Sequence, residues 1–251
     1  MISAVIFDLD GTLVQTESLK AESYAEAAVE LRPGAVAGED VIRAYDQLIG
    51  RPRDEVGQSL LDQFHLGDAA AARAPSLGVA APLEAFLAIR ARFYDAMIRH
   101  REIIKRQEYP YATSLVREVK RSGYSTALTT VSHAAQAYVV LDALGLLNEF
   151  DVIVTADNVT HLKPDPEIYR TAAADLGVRP ADCLAIEDSL PGIQSAVAAG
   201  MWCVASVNDL TRESVHAAPP NPHVRIVDQP WLLDSTVRTI LETPEGATAW
   251  N

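Results

Sequence analysis

Apolar positions along the chain fall into two patterns. Short unbroken runs rich in Val and Ile recur at residues 4–7 (AVIF), 126–129 (TALT), 152–155 (VIVT), 183–186 (CLAI) and 202–205 (WCVA). Continuous rather than alternating, they predict strands covered on both faces, as in a parallel sheet. Segments of helical length lie between them. Asp165-Pro166 before EIYRTAAADLG supplies an N-cap and a first-turn proline, with Gly177 closing the helix, and Pro191 and Gly200 bracket LPGIQSAVAAG. Strand alternating with helix from about Tyr111 to Ala205 predicts βαβ units and an α/β, doubly wound parallel sheet.

Residues 15–109 break this rhythm, being almost purely helical in pattern. The candidate helices are SLKAESYAEAAVEL, EDVIRAYDQLIG, RDEVGQSLLDQFH and one long PLEAFLAIRARFYDAMIRHREIIK, with an Ala-rich linker over 68–81. The first strand therefore belongs with those after Tyr111. The division is a core of residues 1–14 and 110–251 with a helical domain, 15–109, inserted into it. The tail from about Thr211, ending in a helix near Glu242, reads as sheet completion.

A formal net charge of −13 excludes a nucleic-acid surface, which needs clustered Lys and Arg. The two cysteines, Cys183 and Cys203, sit in apolar runs without metal-like spacing and read as buried free thiols of a reducing compartment. Asp8 and Asp10 interrupt the first apolar run before it could serve as a signal peptide, and no run is long enough to span a bilayer. The expected setting is the cytoplasm, away from membranes, as a monomer or small homo-oligomer.

In parallel sheets ligands collect at the carboxyl ends of the strands. Asp8 and Asp10 follow the first run, Thr130 and Ser132 the second, Lys163 lies beyond the third, and Glu187 and Asp188 end the fourth. Carboxylates brought close together repel unless a cation sits among them. Acidic oxygens that leave room for water and a substrate oxygen suit Mg²⁺, and a lysine beside them can help receive a phosphoryl group. Leu9 can point into the core while both aspartates face one pocket, and Gly11 lets the chain turn close to a phosphate. Taken singly, each residue has a plainer reading. Asp10-Gly11 is a common turn dipeptide, Thr130 a β-branched strand end, Lys163 a solvated loop lysine, and Glu187-Asp188 acids at a helix N-terminus. The joint pattern overturns these readings.

FDLDGTL, the Thr130 strand end, LKPDPEIY and IEDSLPGI, in this order, resemble the haloacid dehalogenase superfamily of phosphotransferases over nearly the whole chain. The resemblance implies a Rossmann-like core. It makes Asp8 the nucleophile that forms an aspartyl phosphate, and Asp10 the acid and then the base. Mg²⁺ is then held by the side chains of Asp8 and Asp188 and the main-chain carbonyl of Asp10, with Glu187 nearby. Thr130 binds the transferring group, Lys163 ties Asp8 to it, and Ser132 and His133 are neighbours within reach of substrate.

The insert corresponds to the helical cap of one branch of that superfamily, which excludes water once substrate is seated. Within it LIGRPRDEV is similar to a Gly-x-x-Arg loop, making Gly50 and Arg53 candidates for the far end of a substrate; the plain alternative is a basic residue starting a surface helix. Gln15 and Lys20 depart from the acid and histidine that many relatives carry near the hinge. The implied activity is a phosphatase acting on a small phosphorylated metabolite such as a sugar phosphate. A phosphomutase of the β-phosphoglucomutase kind, and a catalytically idle binding protein on the same fold, are the alternatives.

Overall fold

Residues Ala4–Asp8 form the first strand (β1), every one of them buried, in the computed structural model, which describes residues 1–49 and 51–242. The chain divides into two units, Met1–Gln15 with the chain from Ile104 onward, and Thr16–Ile103.

The second unit is helical: α1 (Glu17–Leu31), α2 (Gly38–Asp46), α3 (Arg53–Gln63), α4 (Gly67–Leu77) and α5 (Pro82–Ile98). Its core draws Tyr24 and Ala28 from α1, Val41 and Tyr45 from α2, Leu60 from α3, Ala70 and Ala74 from α4, and Phe86 and Ile89 from α5. These recur three or four apart, the spacing that places apolar residues on one helix face. The Ala-rich linker expected over 68–81 is instead largely α4. Alanine is the strongest helix former, and Ala70 and Ala74, one turn apart, are both buried.

The single long helix expected over 82–105 is two: α5 stops at Ile98, and α6 runs Arg101–Arg106. Ile98, in the helical unit, and Ile104, in the other, are both buried. On one continuous helix these two positions would lie about 240° apart around the axis. The break at Arg99 and His100 releases the two positions from that phase, and both are buried.

The first unit continues with α7 (Pro110–Arg121), β2 (Ser125–Thr129), α8 (Ala134–Leu144), β3 (Val152–Val154), α9 (Glu167–Asp175), β4 (Cys183–Glu187), α10 (Leu190–Ala198), β5 (Trp202–Ser206), α11 (Arg212–Ala217), β6 (Val224–Val227) and α12 (Leu233–Glu242). The six strands lie in the order β3-β2-β1-β4-β5-β6, and every pairing is parallel. Five of them are the apolar runs of the sequence; β6, with one exposed and two half-buried positions, is the edge strand that the runs did not disclose.

Ala4 and Ile6 of β1 face a core shared with Ala185, Cys203, Tyr169, Ala172 and Ala196. Phe7 packs edge-on against Phe150, ring centroids 6.2 Å apart. With both faces covered, the strands need unbroken apolar sequence. β1 lies between β2 and β4, where the strand order reverses, and its register sets Asp8 opposite Thr129 and Phe7 opposite Ile186. The carboxyl ends of three strands are thus level at the switch point, where α/β sheets bind ligands. Among the described residues no helix is long and apolar enough to cross a membrane.

Candidate active site

Asp8 ends β1 and is only 5% exposed. Lys163, on the loop between β3 and α9, donates from Nζ to Asp8 Oδ1 at 2.7 Å and to Glu187 Oε1 at 2.6 Å. Its side chain is 5% exposed, and it lies 5.1 Å from the centre of the Tyr169 ring. Burial alone would lower the lysine's pKa, yet Asp8 and Glu187 hold it well above the ordinary value, so the ammonium stays charged.

Glu187 is fully buried and saturated with donors. Its Oε1 accepts from Lys163 and from the Tyr169 hydroxyl at 3.0 Å. Its Oε2 accepts from the amides of Asp188 and Ser189, 3.0 and 3.2 Å, and from the Ser189 hydroxyl at 3.2 Å. A carboxylate offers about four lone-pair sites, so this set fills them. The carboxyl group lies directly on Gly192: a Cβ there would stand 1.8 Å from Oε1. Glycine is what allows an acid to lie against the first turn of α10.

Asp188 is 3% exposed and closes a cluster in which oxygens of Asp8, Glu187 and Asp188 lie within 4.8 Å of one another. Burial pushes the Asp8 carboxyl up to about 7, with Glu187 and Asp10 adding to the rise and Lys163 opposing it. Burial, with Glu187 and Asp8, also raises Asp188 well above the carboxylate range. One ammonium therefore leaves the cluster short of positive charge. Hard oxygen donors, dry surroundings and excess negative charge fit a small divalent cation such as Mg²⁺. Gly11 completes the cradle with a φ of +94°, and a Cβ there would stand 2.3 Å from Asp188 Oδ2. A second cluster, His161, Asp165 and Glu167, is mostly exposed, and Glu167 accepts from the amides of Thr160 and His161.

Asp10 lies just past the strand, with Leu9 buried in the core between the two aspartates. Its Oδ2 accepts from the Thr130 hydroxyl at 3.1 Å and from the Ser132 hydroxyl at 2.8 Å, while the Ser132 amide donates to Thr130 Oγ1 at 3.0 Å. Thr130 and Ser132 thus come together on Asp10. His133 Nδ1 pairs with Asp157 Oδ1 at 2.6 Å, and Asp157 Oδ2 accepts the Ala134 amide at 2.7 Å.

Gly50 lies outside the described residues. Arg53 opens α3 in the helical unit, its side chain 56% exposed and its carbonyl accepting from the Tyr24 hydroxyl at 3.4 Å. Lys20 pairs with Glu17 at 2.7 Å, and Glu17 also accepts from the Tyr45 hydroxyl at 2.6 Å. The sequence did not single out Arg90, which is buried between the rings of Tyr24 and Tyr94, 5.0 and 4.6 Å from their centres. Tyr169 and Asn208 were missed too. Asn208 stands two residues past β5, and reading the fifth strand end as the first four were read would have reached it. Nothing in the sequence marks the Tyr169 hydroxyl as a partner of Glu187. Beside the carboxylates, in the first unit, a cleft of about 590 Å³ is lined by Gly11, Thr12, Gln15, Tyr109, Asn208 and Arg212 among others.

The family model of haloacid dehalogenase-like hydrolases matches residues 2–200. The chain belongs to this family and is a hydrolase. It is 32% identical over 207 residues to fructose-1-phosphate phosphatase YqaB of Escherichia coli (strain K12), covering 80% of this chain and 95% of that one. It is also 32% identical over 221 residues to Protein SUPPRESSOR OF QUENCHING 1, chloroplastic, of Arabidopsis thaliana, covering 88% of this chain but spanning only 19% of that relative's length. Among solved structures, the β-phosphoglucomutase (pgmB) of Clostridium difficile aligns with a TM-score of 0.70 at 26% identity, over 95% of this chain and 96% of that one.

Proposed function

We propose that this hydrolase is a Mg²⁺-dependent phosphatase that cleaves the phosphate monoester of a small metabolite, a sugar phosphate by preference, through an aspartyl phosphate on Asp8. The observation that carries the reading is the buried Lys163 ammonium, bonded to Asp8 at 2.7 Å and to Glu187 at 2.6 Å within a cluster of acids that needs further positive charge. The fructose-1-phosphate phosphatase named above supports the substrate class. The strongly negative chain argues for a small ligand rather than a nucleic acid.

An oxygen of Asp8 attacks phosphorus, forming the acyl phosphate bond as the ester P–O bond breaks. Asp10 delivers a proton to the departing sugar oxygen. It then takes one from the water that attacks phosphorus, freeing phosphate and restoring Asp8. Lys163 holds Asp8 in line and faces the negative oxygens of the group in transfer. The Thr130 hydroxyl has one proton to give; it serves Asp10 at rest and a phosphoryl oxygen once substrate is seated. The side chains of Asp8 and Asp188 and the main-chain carbonyl of Asp10 would hold the Mg²⁺, which neutralises charge on the transferring group. Glu187 stands beside them as the anchor of Lys163.

The test is release of phosphate from p-nitrophenyl phosphate and from a panel of sugar phosphates. The reading expects turnover that needs Mg²⁺ and is abolished by Asp8→Asn. Equal turnover by the variant refutes the role of Asp8, and no turnover of any ester by the wild type favours an idle binding protein. The helical unit's share in substrate choice rests on Arg53. Arg53→Ala is expected to raise KM for a sugar phosphate about tenfold and to leave p-nitrophenyl phosphate unaffected.

The likeness to the solved β-phosphoglucomutase favours a second reading, in which Asp8 returns its phosphoryl group to a sugar hydroxyl instead of water. Feeding β-glucose 1-phosphate with a trace of the bisphosphate separates the two. Glucose 6-phosphate marks the mutase, and free phosphate marks the phosphatase.

A further inference from the structure

We infer that Asn208 is a positioning residue for the metal site: its side-chain amide fixes one oxygen of Asp188 and leaves the other to the ion. The inference rests on the Mg²⁺ reading above. Nδ2 of Asn208 donates to Asp188 Oδ2 at 2.9 Å and to the Gly11 carbonyl at 3.2 Å. One amide group thereby joins the ends of β1 and β4 from the loop after β5.

The amide cannot be turned over. Its Oδ1 accepts from the amides of Leu210 and Thr211, 2.9 and 3.3 Å, and its own backbone N–H donates to Thr211 Oγ1 at 3.2 Å. A flip would set an oxygen against two acceptors and an NH₂ group against two donors, so the network dictates the orientation. On the far side of the carboxylate, Asp188 Oδ1 receives, among the described residues, only a long contact from the Thr12 hydroxyl, 3.4 Å. That oxygen keeps lone pairs for a cation, whereas Oδ2 is held by Asn208 and walled in by Gly11. Partners of this kind, one bond removed from the ion, typically change metal affinity by about 10–100-fold when removed.

The experiment is calorimetric titration of Mg²⁺ into wild type, Asn208→Ala and Asn208→Ser, with no substrate present. Serine keeps a hydroxyl that can accept from the Leu210 amide but is too short to reach Asp188, so it spares the turn. Both variants are expected to bind Mg²⁺ about 10–100-fold more weakly than wild type. Lost turnover is then regained by raising Mg²⁺. Equal Mg²⁺ affinity in wild type and variants overturns the inference and leaves the Mg²⁺ reading standing. A wild type that binds no Mg²⁺ overturns that reading and the inference with it. If neither variant folds, NMR of the wild type decides: the Asn208 side-chain amide signals shift on Mg²⁺ addition if the inference holds, and stay in place if it does not.

Discussion

Replacing Lys163 with methionine keeps the bulk of the buried stem and removes the only ammonium bonded to Asp8 and Glu187 among the described residues. Breaking a buried ion pair on one side typically costs about 3–5 kcal/mol. A second route gives a similar figure. Rather than hold another unpaired negative charge at 0–5% exposure, the cluster takes up one more proton in the folded state. A carboxyl with an unfolded pKa near 4 that stays protonated at pH 7 costs about 1.36 kcal/mol for each of three pH units, roughly 4 kcal/mol. At pH 5 the same sum is about 1.4 kcal/mol. An acid whose folded pKa is raised destabilises above its unfolded pKa, and the loss grows with pH. In EDTA, Lys163→Met should therefore melt about 8–16 °C below wild type at pH 7 and about 3–6 °C below it at pH 5, followed by circular dichroism. An equal gap at both pH values refutes the claim that a proton replaces the ammonium. No gap at pH 7 refutes the claim that Lys163 neutralises the cluster.

Because Asp8 titrates near 7 without a cation, Mg²⁺ must displace a proton; calorimetry at pH 7 in two buffers of different ionisation enthalpy should show proton release, and affinity should rise from pH 6 to 8. No buffer dependence would contradict this. Thr130→Val removes the hydroxyl now on Asp10 and should lower kcat by about 10²-fold with little change in KM, read from steady-state kinetics. Gly192→Ala puts a methyl group where Glu187 Oε1 lies, 1.8 Å away; the displaced acid loosens Lys163, and both stability and kcat should fall, which a melt and a rate assay together would show.

The sheet was legible because its strands, covered on both faces, must be continuously apolar, and a parallel sheet brings their carboxyl ends to one place. Asp8, Asp10, Thr130, Glu187 and Asp188 each end or closely follow such a run, whereas Lys163 lies eight residues beyond the third and was reached only through the LKPDPEIY motif. Elsewhere the chain withheld its structure for physical reasons. Alanines carry no polar contrast, so α4 looked like a linker although Ala70 and Ala74 are core residues. The break between α5 and α6 carries neither glycine nor proline, so the periodicity ran straight through it. β6, an edge strand, is not buried throughout and so lacked the unbroken apolar signature. Asn208 stood at a strand end that was not followed up, but the pairing of the Tyr169 hydroxyl with Glu187, from within a helix, leaves no local trace at all.

The measurement that bears most directly on the mechanism is recovery of the phosphorylated enzyme. Wild type mixed with Mg²⁺ and a phosphate-labelled sugar ester, quenched in acid within one turnover and digested, should yield a peptide carrying one phosphoryl group on Asp8. Label on any other residue, or turnover without labelled protein at any quench time, would contradict it.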